Sequence, residues 1–163
     1  MQLSGPLQLS LAIGQFMFWG CGQSANRPEA KESIDKSEIA LDSFTGIPQE
    51  IQGCSCYFSE SEESRNEGEY LLLDGFDSVA FISINNSLLK LKLVSTGREP
   101  LSFGDYDHID VYKADKYTIT LDIKYKELPK DDEAEGWFND GTIVIERNDG
   151  QKKVPKVIGF CGC

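Results

Sequence analysis

From residue 46 to the C-terminus, apolar and polar residues alternate with a period of two. Residues two apart on a strand share a face, so this pattern marks strands with one buried side. The clearest run is Tyr117–Tyr125. Tyr117, Ile119, Leu121, Ile123 and Tyr125 face one way, and Thr118, Thr120, Asp122 and Lys124 face the other. Leu89, Leu91 and Leu93 alternate with Lys90 and Lys92 in the same manner. Val79–Ile84 precedes them through Asn85-Asn86-Ser87, and because Asn tolerates positive φ this predicts a tight hairpin. Thr142–Glu146 and Lys153–Ile158 flank Asn148-Asp149-Gly150, a second hairpin signal, with Pro155 at an edge or a bulge. Further strands fit Cys54–Ser59, Tyr70–Asp74 and His108–Lys113. About eight short strands separated by turn signals predict an all-β fold, an antiparallel β-barrel or sandwich. No βαβ alternation is visible, which argues against a nucleotide-binding α/β sheet.

The N-terminal part reads differently. Leu7–Trp19 is apolar over 13 residues, too short to span a bilayer and the length of a signal-peptide h-region. Gly20 follows, then Cys21. A hydrophobic segment ending in a small residue and cysteine resembles a bacterial lipoprotein signal, which implies that Cys21 is lipidated and begins the mature chain. Phe18 and Trp19 are bulkier than that pattern, and no Lys or Arg precedes Arg27. The alternatives are a buried N-terminal element with a structural free cysteine, or cleavage by an ordinary signal peptidase. From Gly22 to Thr45 the chain is polar and charged and reads as a flexible tether. A short helix over Ser33–Leu41 fits the spacing of Ile34, Glu38 and Leu41. The expected organisation is a signal-like segment at 1–20, a lipidated Cys21 with tether at 21–45, and a β domain at 46–163.

The other four cysteines form two C-x-C pairs, Cys54/Cys56 and Cys161/Cys163. On strands, each pair puts both sulfurs on one face. If the first and last strands are antiparallel neighbours, the bridges are Cys54–Cys163 and Cys56–Cys161. An exported chain meets an oxidising compartment, where disulfides are the default. The alternative is a metal site, zinc above all, on Cys54, Cys56, Cys161 and Cys163. No thioredoxin-like context surrounds either pair.

The chain has 27 acidic and 16 basic residues in 163, a net charge of −11. Residues 46–163 hold 22 of the acids and 13 of the bases, so the β domain itself carries −9. A nucleic-acid partner is not expected, because phosphate tracking needs a cationic surface. A basic protein partner suits the charge. His108 is the single histidine, set among Asp105, Asp107 and Asp110 just before a strand. It reads as a solvated strand-end residue, since no nucleophile elbow accompanies it. The three aspartates could bind calcium weakly, but they lack the EF-hand glycine and glutamate and read as a polar loop. The acidic runs Glu60–Glu69 and Asp131–Glu135 read as solvated loops. Trp137-Phe138 stands apart from the strands, as packing over a barrel mouth or as a ligand contact. No catalytic residue and no cofactor is expected, and the chain is read as a non-enzyme.

Gly53-Cys54-Ser55-Cys56-Tyr57-Phe58-Ser59, with Tyr70–Asp74 and Val79–Asn85, resembles a group of small lipoproteins of Bacteroidota-type bacteria. The likeness covers residues 50–95 and implies a membrane-anchored protein of the cell envelope, without an activity to carry over. Val79–Leu93 followed by Ser95-Thr96-Gly97 is more loosely similar to membrane-bound inhibitors of C-type lysozyme, which are small exported β-barrels with a terminal disulfide. The fuller Ser-Ala-Ser-Gly signature of that family is absent here. The expected function is an envelope domain that binds a protein or another envelope component. The alternatives are lysozyme inhibition and metal binding by the paired cysteines.

Overall fold

The computed structural model describes residues 37–51, 53–76, 79–97, 107–129 and 135–163. The signal-like segment, Cys21 and the tether up to residue 36 lie outside them. Strand alternation runs as expected. The elements are β1 (Leu41–Asp42), β2 (Phe44–Thr45), β3 (Ser55–Ser59), α1 (Glu62–Asn66), β4 (Glu69–Tyr70), β5 (Leu72–Gly75), β6 (Val79–Ile84), β7 (Ser87–Thr96), β8 (His108–Ala114), β9 (Tyr117–Glu127), β10 (Gly136–Arg147), β11 (Lys152–Lys153) and β12 (Lys156–Gly162).

Eight of these strands close into an antiparallel barrel. The order around it is β3-β5-β6-β7-β8-β9-β10-β12, with β12 returning to β3. Every barrel strand therefore pairs with its neighbours in sequence, the up-and-down pattern, and full closure leaves no open sheet edge. One residue of each alternating pair points inward. Ile119, Leu121 and Ile123 of β9 meet Ile143 and Ile145 of β10, with Phe58, Leu72, Ile82, Leu91 and Tyr112 from the other strands, all at 0 or 1% exposure. An eight-stranded barrel is just wide enough for side chains to fill it, and here they do. Gly159 shows how tight the filling is. It faces inward opposite Phe58, and a Cβ there would lie 2.5 Å from that ring.

The two ends of the barrel differ. At the first, which we call the hairpin end, three connections are tight turns and the fourth, from Ser59 to Leu72, carries α1 and β4. Asn85 and Asn86 both take positive φ, 52° and 60°, and join β6 to β7 in two residues. This backbone matches the right-handed twist of the strands it links. Gly150 takes φ 88° in the Asn148–Gly150 turn. There Asp149 accepts from Arg147 Nη2 at 2.7 Å and from the Gln151 backbone N–H at 3.1 Å. Pro155 falls in the break between β11 and β12, where its carbonyl accepts from Ile143 N–H at 3.0 Å.

This end is also where the chain enters. Ile39 is 2% exposed and belongs to the core, and Leu41 pairs with Ile84. The Ala40 backbone exchanges two hydrogen bonds of 2.9 Å with Asn85, through its side chain and its N–H. The sequence boundary at residue 46 thus lies inside the folded unit, which includes residues 37–45. The expected helix over Ser33–Leu41 is not present in its described part, because Leu41 is drawn into strand pairing with β6. A second correction concerns Glu60–Glu69, read as a loop. Ser61 caps α1 by accepting from Ser64 N–H at 3.1 Å, Glu62 and Glu63 occupy the first turn and Arg65 the last. That distribution suits the helix dipole.

The opposite end is closed covalently. β12 pairs with β3 over Ile158–Gly162 and Ser55–Ser59, setting Cys161 opposite Cys56. Two disulfides cross this seam, Cys54–Cys163 and Cys56–Cys161, each with Cα atoms 4.0 Å apart. They join positions 109 and 105 residues apart, the first and last strands of the barrel. The register lets four C-x-C sulfurs meet as two rungs of one ladder.

Two expectations follow. In the chain-entropy picture, a bridge closing a loop of this length is worth ~5 kcal/mol, but a second bridge beside it closes only a small ring worth ~2 kcal/mol. Replacing either cysteine pair by serine should cost about 2 kcal/mol in urea unfolding and replacing both about 7, well beyond the sum of the two. Equal and additive costs would contradict this. The second concerns acid. Hydrogen bonds from Arg147, then from the Gln151 backbone, lower Asp149 from 3.8 to about 2. A lowered carboxylate contributes stability above its unfolded value and loses it as pH falls through the folded one. Stability attributable to Asp149 should be complete above pH 3.8 and vanish toward about 2. Asp149→Asn should be less stable than the parent at neutral pH, with the gap closing across that window; a constant gap in urea midpoints would rule the linkage out.

Candidate functional site

The stapled end gathers most of the residues singled out in the sequence. Cys56 and Cys161 are at 0% exposure inside the barrel, whereas Cys54 and Cys163 are exposed at its rim. The Asn139 side-chain N–H group points to Cys161 Sγ at 3.1 Å. The metal alternative for Cys54, Cys56, Cys161 and Cys163 is overturned. Strand register opposes the sulfurs pairwise and bonds them, and a zinc site needs four thiolates converging on one point.

Beside the inner bridge, the lumen becomes polar. Asp74 of β5 lies opposite Cys56 at 1% exposure and accepts from Tyr112 Oη at 2.7 Å. Tyr112 Oη is also 3.4 Å from Asp110 Oδ2, which lies 3.6 Å from His108 Nε2. Asp110 is at 0% and His108 at 8% exposure. The reading of His108 as a solvated residue is therefore corrected. It shares the inward parity of Asp110 and Tyr112, so β8 carries it into the barrel. Asp107 has the opposite parity. It is exposed, accepts from the Tyr125 backbone N–H at 2.7 Å and lies 3.6 Å from Lys124 Nζ. The Asp105/Asp107/Asp110 cluster is thus not one group, since Asp107 and Asp110 face opposite sides and Asp105 lies outside the described residues. Among the described residues no set of His, Cys, Asp and Glu is arranged to hold a metal ion.

Trp137 and Phe138 fall inside β10, not in a loop. Adjacent strand residues must face opposite ways. Trp137 turns to the core and stacks on Phe76 with ring centroids 6.2 Å apart, covering the stapled end. Phe138 turns outward. Its ring lies 5.2 Å from Phe160, and the Arg65 guanidinium sits over it at 4.8 Å. Sequence reading missed this outer site, although the parity of two neighbouring aromatics signals it: one of them must leave the core.

The outer face around Phe138 is concave. A pocket of about 190 Å³ lies between α1 and the barrel, lined in part by Arg65, Lys126, Phe138 and Ile158. A second groove of about 460 Å³ adjoins it across Ile158 and runs past Lys124, Asp140 and Thr142 to Lys156. Lys126 is the extra residue of a β-bulge, since Glu127 opposes Phe138 and Tyr125 opposes Asn139. Lys126 has the outward parity of Asp122 and Lys124 and lines the pocket, with its Nζ 3.6 Å from Asp140. The acidic run at 131–134 lies outside the described residues, and Glu135 is exposed.

Fold and site together define a disulfide-stapled, up-and-down β-barrel with a filled lumen and a mixed-charge groove on its outer wall. No protein-family model, curated protein or solved structure matches the chain.

The buried Tyr112–Asp74 contact is directly testable. Tyr112→Phe removes one buried donor from Asp74, a loss of about 1–3 kcal/mol. The urea midpoint should fall accordingly with an unchanged slope. A variant as stable as the parent would show that the hydroxyl contributes nothing.

Proposed function

We propose that the chain is a non-enzymatic lipoprotein of the bacterial cell envelope, tethered through Cys21, whose barrel binds a protein or another envelope component. The observation that carries this reading is the doubly stapled seam. Paired disulfides persist in oxidising compartments and are rare where thiols are kept reduced, so a barrel closed by two of them suits an exported chain. Their pairing also accounts for four of the five cysteines and leaves Cys21, behind its apolar segment, for a lipid. A filled lumen supports recognition on the outer wall, where the −9 of residues 46–163 favours encounter with a basic protein surface.

A second reading is inhibition of a C-type lysozyme. Ser95 and Thr96 end β7 at the stapled end, and they and Gly97 are exposed. The resemblance noted in the sequence places its Ser-Thr-Gly there, on a barrel with a terminal staple. A lysozyme assay with excess protein decides it: loss of lytic activity supports inhibition, and undiminished lysis removes it.

For the leading reading, intact-mass analysis of the protein recovered from a bacterial membrane fraction is decisive. The expected species begins at Cys21, carries diacyl or triacyl glyceryl mass and lacks four hydrogens for two bridges. A chain retaining residues 1–20, or a Cys21 without lipid in the soluble fraction, would contradict it.

A further inference from the structure

Of the two arginines among the described residues, Arg147 is held by Asp149 at 2.7 Å. Arg65 is placed differently. Its guanidinium lies over Phe138, and among the described residues no carboxylate stands within ion-pair distance of it. A guanidinium held over an aromatic ring still carries N–H donors, and those donors match a carboxylate in bidentate geometry. Arg65 is half-buried in the pocket between α1 and the barrel, so such a pair would be only partly screened by water. Lys126, whose Nζ lies 3.6 Å from Asp140, lines the same pocket.

The flanks define what kind of anion fits. Glu62 and Glu127 also line the pocket. They disfavour dense negative charge, such as a polyphosphate, and leave room for a single carboxylate. Beyond Ile158 the adjoining groove carries charges of both signs, with Asp140 and Asp122 against Lys124 and Lys156. An anionic glycan would call for a wall of one sign. Alternating signs over an apolar floor suit an extended peptide, whose backbone offers donors and acceptors in turn. From Phe138 to Thr142 the groove follows four strand steps, about 13 Å, the length of four extended residues.

We infer that this groove binds the C-terminal end of an extended peptide, with the free α-carboxylate on Arg65 and the chain lying over Ile158 toward Thr142. The inference rests on the reading of the barrel as a binding module and names its ligand class. The test is an NMR titration of the full-length chain with tetra-alanine, as the free acid and as the C-terminal amide, followed at the Ile158 and Gly159 amides. The free acid should shift both signals and bind at least tenfold more tightly than the amide. Arg65→Gln should lower the affinity of the acid to that of the amide and leave the amide unchanged, while Arg65→Lys keeps part of the preference. The substitution lies on the outer wall, and an unaltered amide spectrum elsewhere in the barrel verifies the fold. Equal binding of acid and amide, or a preference that survives Arg65→Gln, would overturn the proposal. So would a silent titration with the acid. If photo-crosslinking then traps an envelope partner on another face, the binding-module reading stands and only this site falls.

Discussion

The pairing of β12 with β3 is the contact on which the rest of this barrel depends. It joins segments separated by about two thirds of the chain, with bridges spanning 105 and 109 residues. Every other barrel pairing links strands adjacent in sequence, which the chain can form locally. The seam alone has to be closed at long range, where loop entropy opposes it. Two disulfides lie across it. Once it is closed, the sheet has no free edge and the lumen is sealed around its apolar side chains. The same closure helps fix the outer wall, because α1 contacts β3 and the groove is lined by β12 together with β9 and β10.

The seam also organises the interior chemistry. Asp74 faces Cys56 across the β3–β5 pairing, and Asn139 reaches Cys161 from β10. Tyr112 links Asp74 to Asp110, so strands β5 and β8 are connected across the lumen close to the staple. The polar end is held by named hydrogen bonds, and the hairpin end by apolar filling and the Ile39 plug. These two modes suit their positions. The turns after β6, β8 and β10 are short, while the connections from β7 to β8 and from β9 to β10 at the stapled end are longer, and side chains link the strands there.

Much of this was legible in the sequence. Strict alternation through Tyr117–Tyr125 predicted β9 and its inward face, and Asn85-Asn86-Ser87 predicted a tight hairpin because Asn accepts positive φ. The spacing of the paired cysteines, with antiparallel first and last strands, predicted both bridges. Other features depended on context that alternation alone does not carry. His108 looked solvated because its neighbours are acidic, but its parity with Tyr112 buries it. Residues 37–45 looked like tether because their composition is polar, yet Ile39 enters the core and Ala40 and Leu41 bond to β6 and its turn. Trp137 and Phe138 looked like a single aromatic feature until strand geometry divided them between core and surface. Arg65 could not be placed from sequence, since its partner Phe138 lies on a distant strand.

The central claim is that the β3–β12 seam is the long-range closure that the disulfides maintain. Hydrogen–deuterium exchange of the intact protein, compared before and after reduction of both bridges, tests it most directly. The account predicts that reduction first exposes the amides of Ser55–Ser59 and Lys156–Gly162, while β8, β9 and the part of β10 paired with β9 stay protected until higher denaturant. Uniform loss of protection around the barrel, or continued protection of the seam while β8 and β9 open, would contradict it.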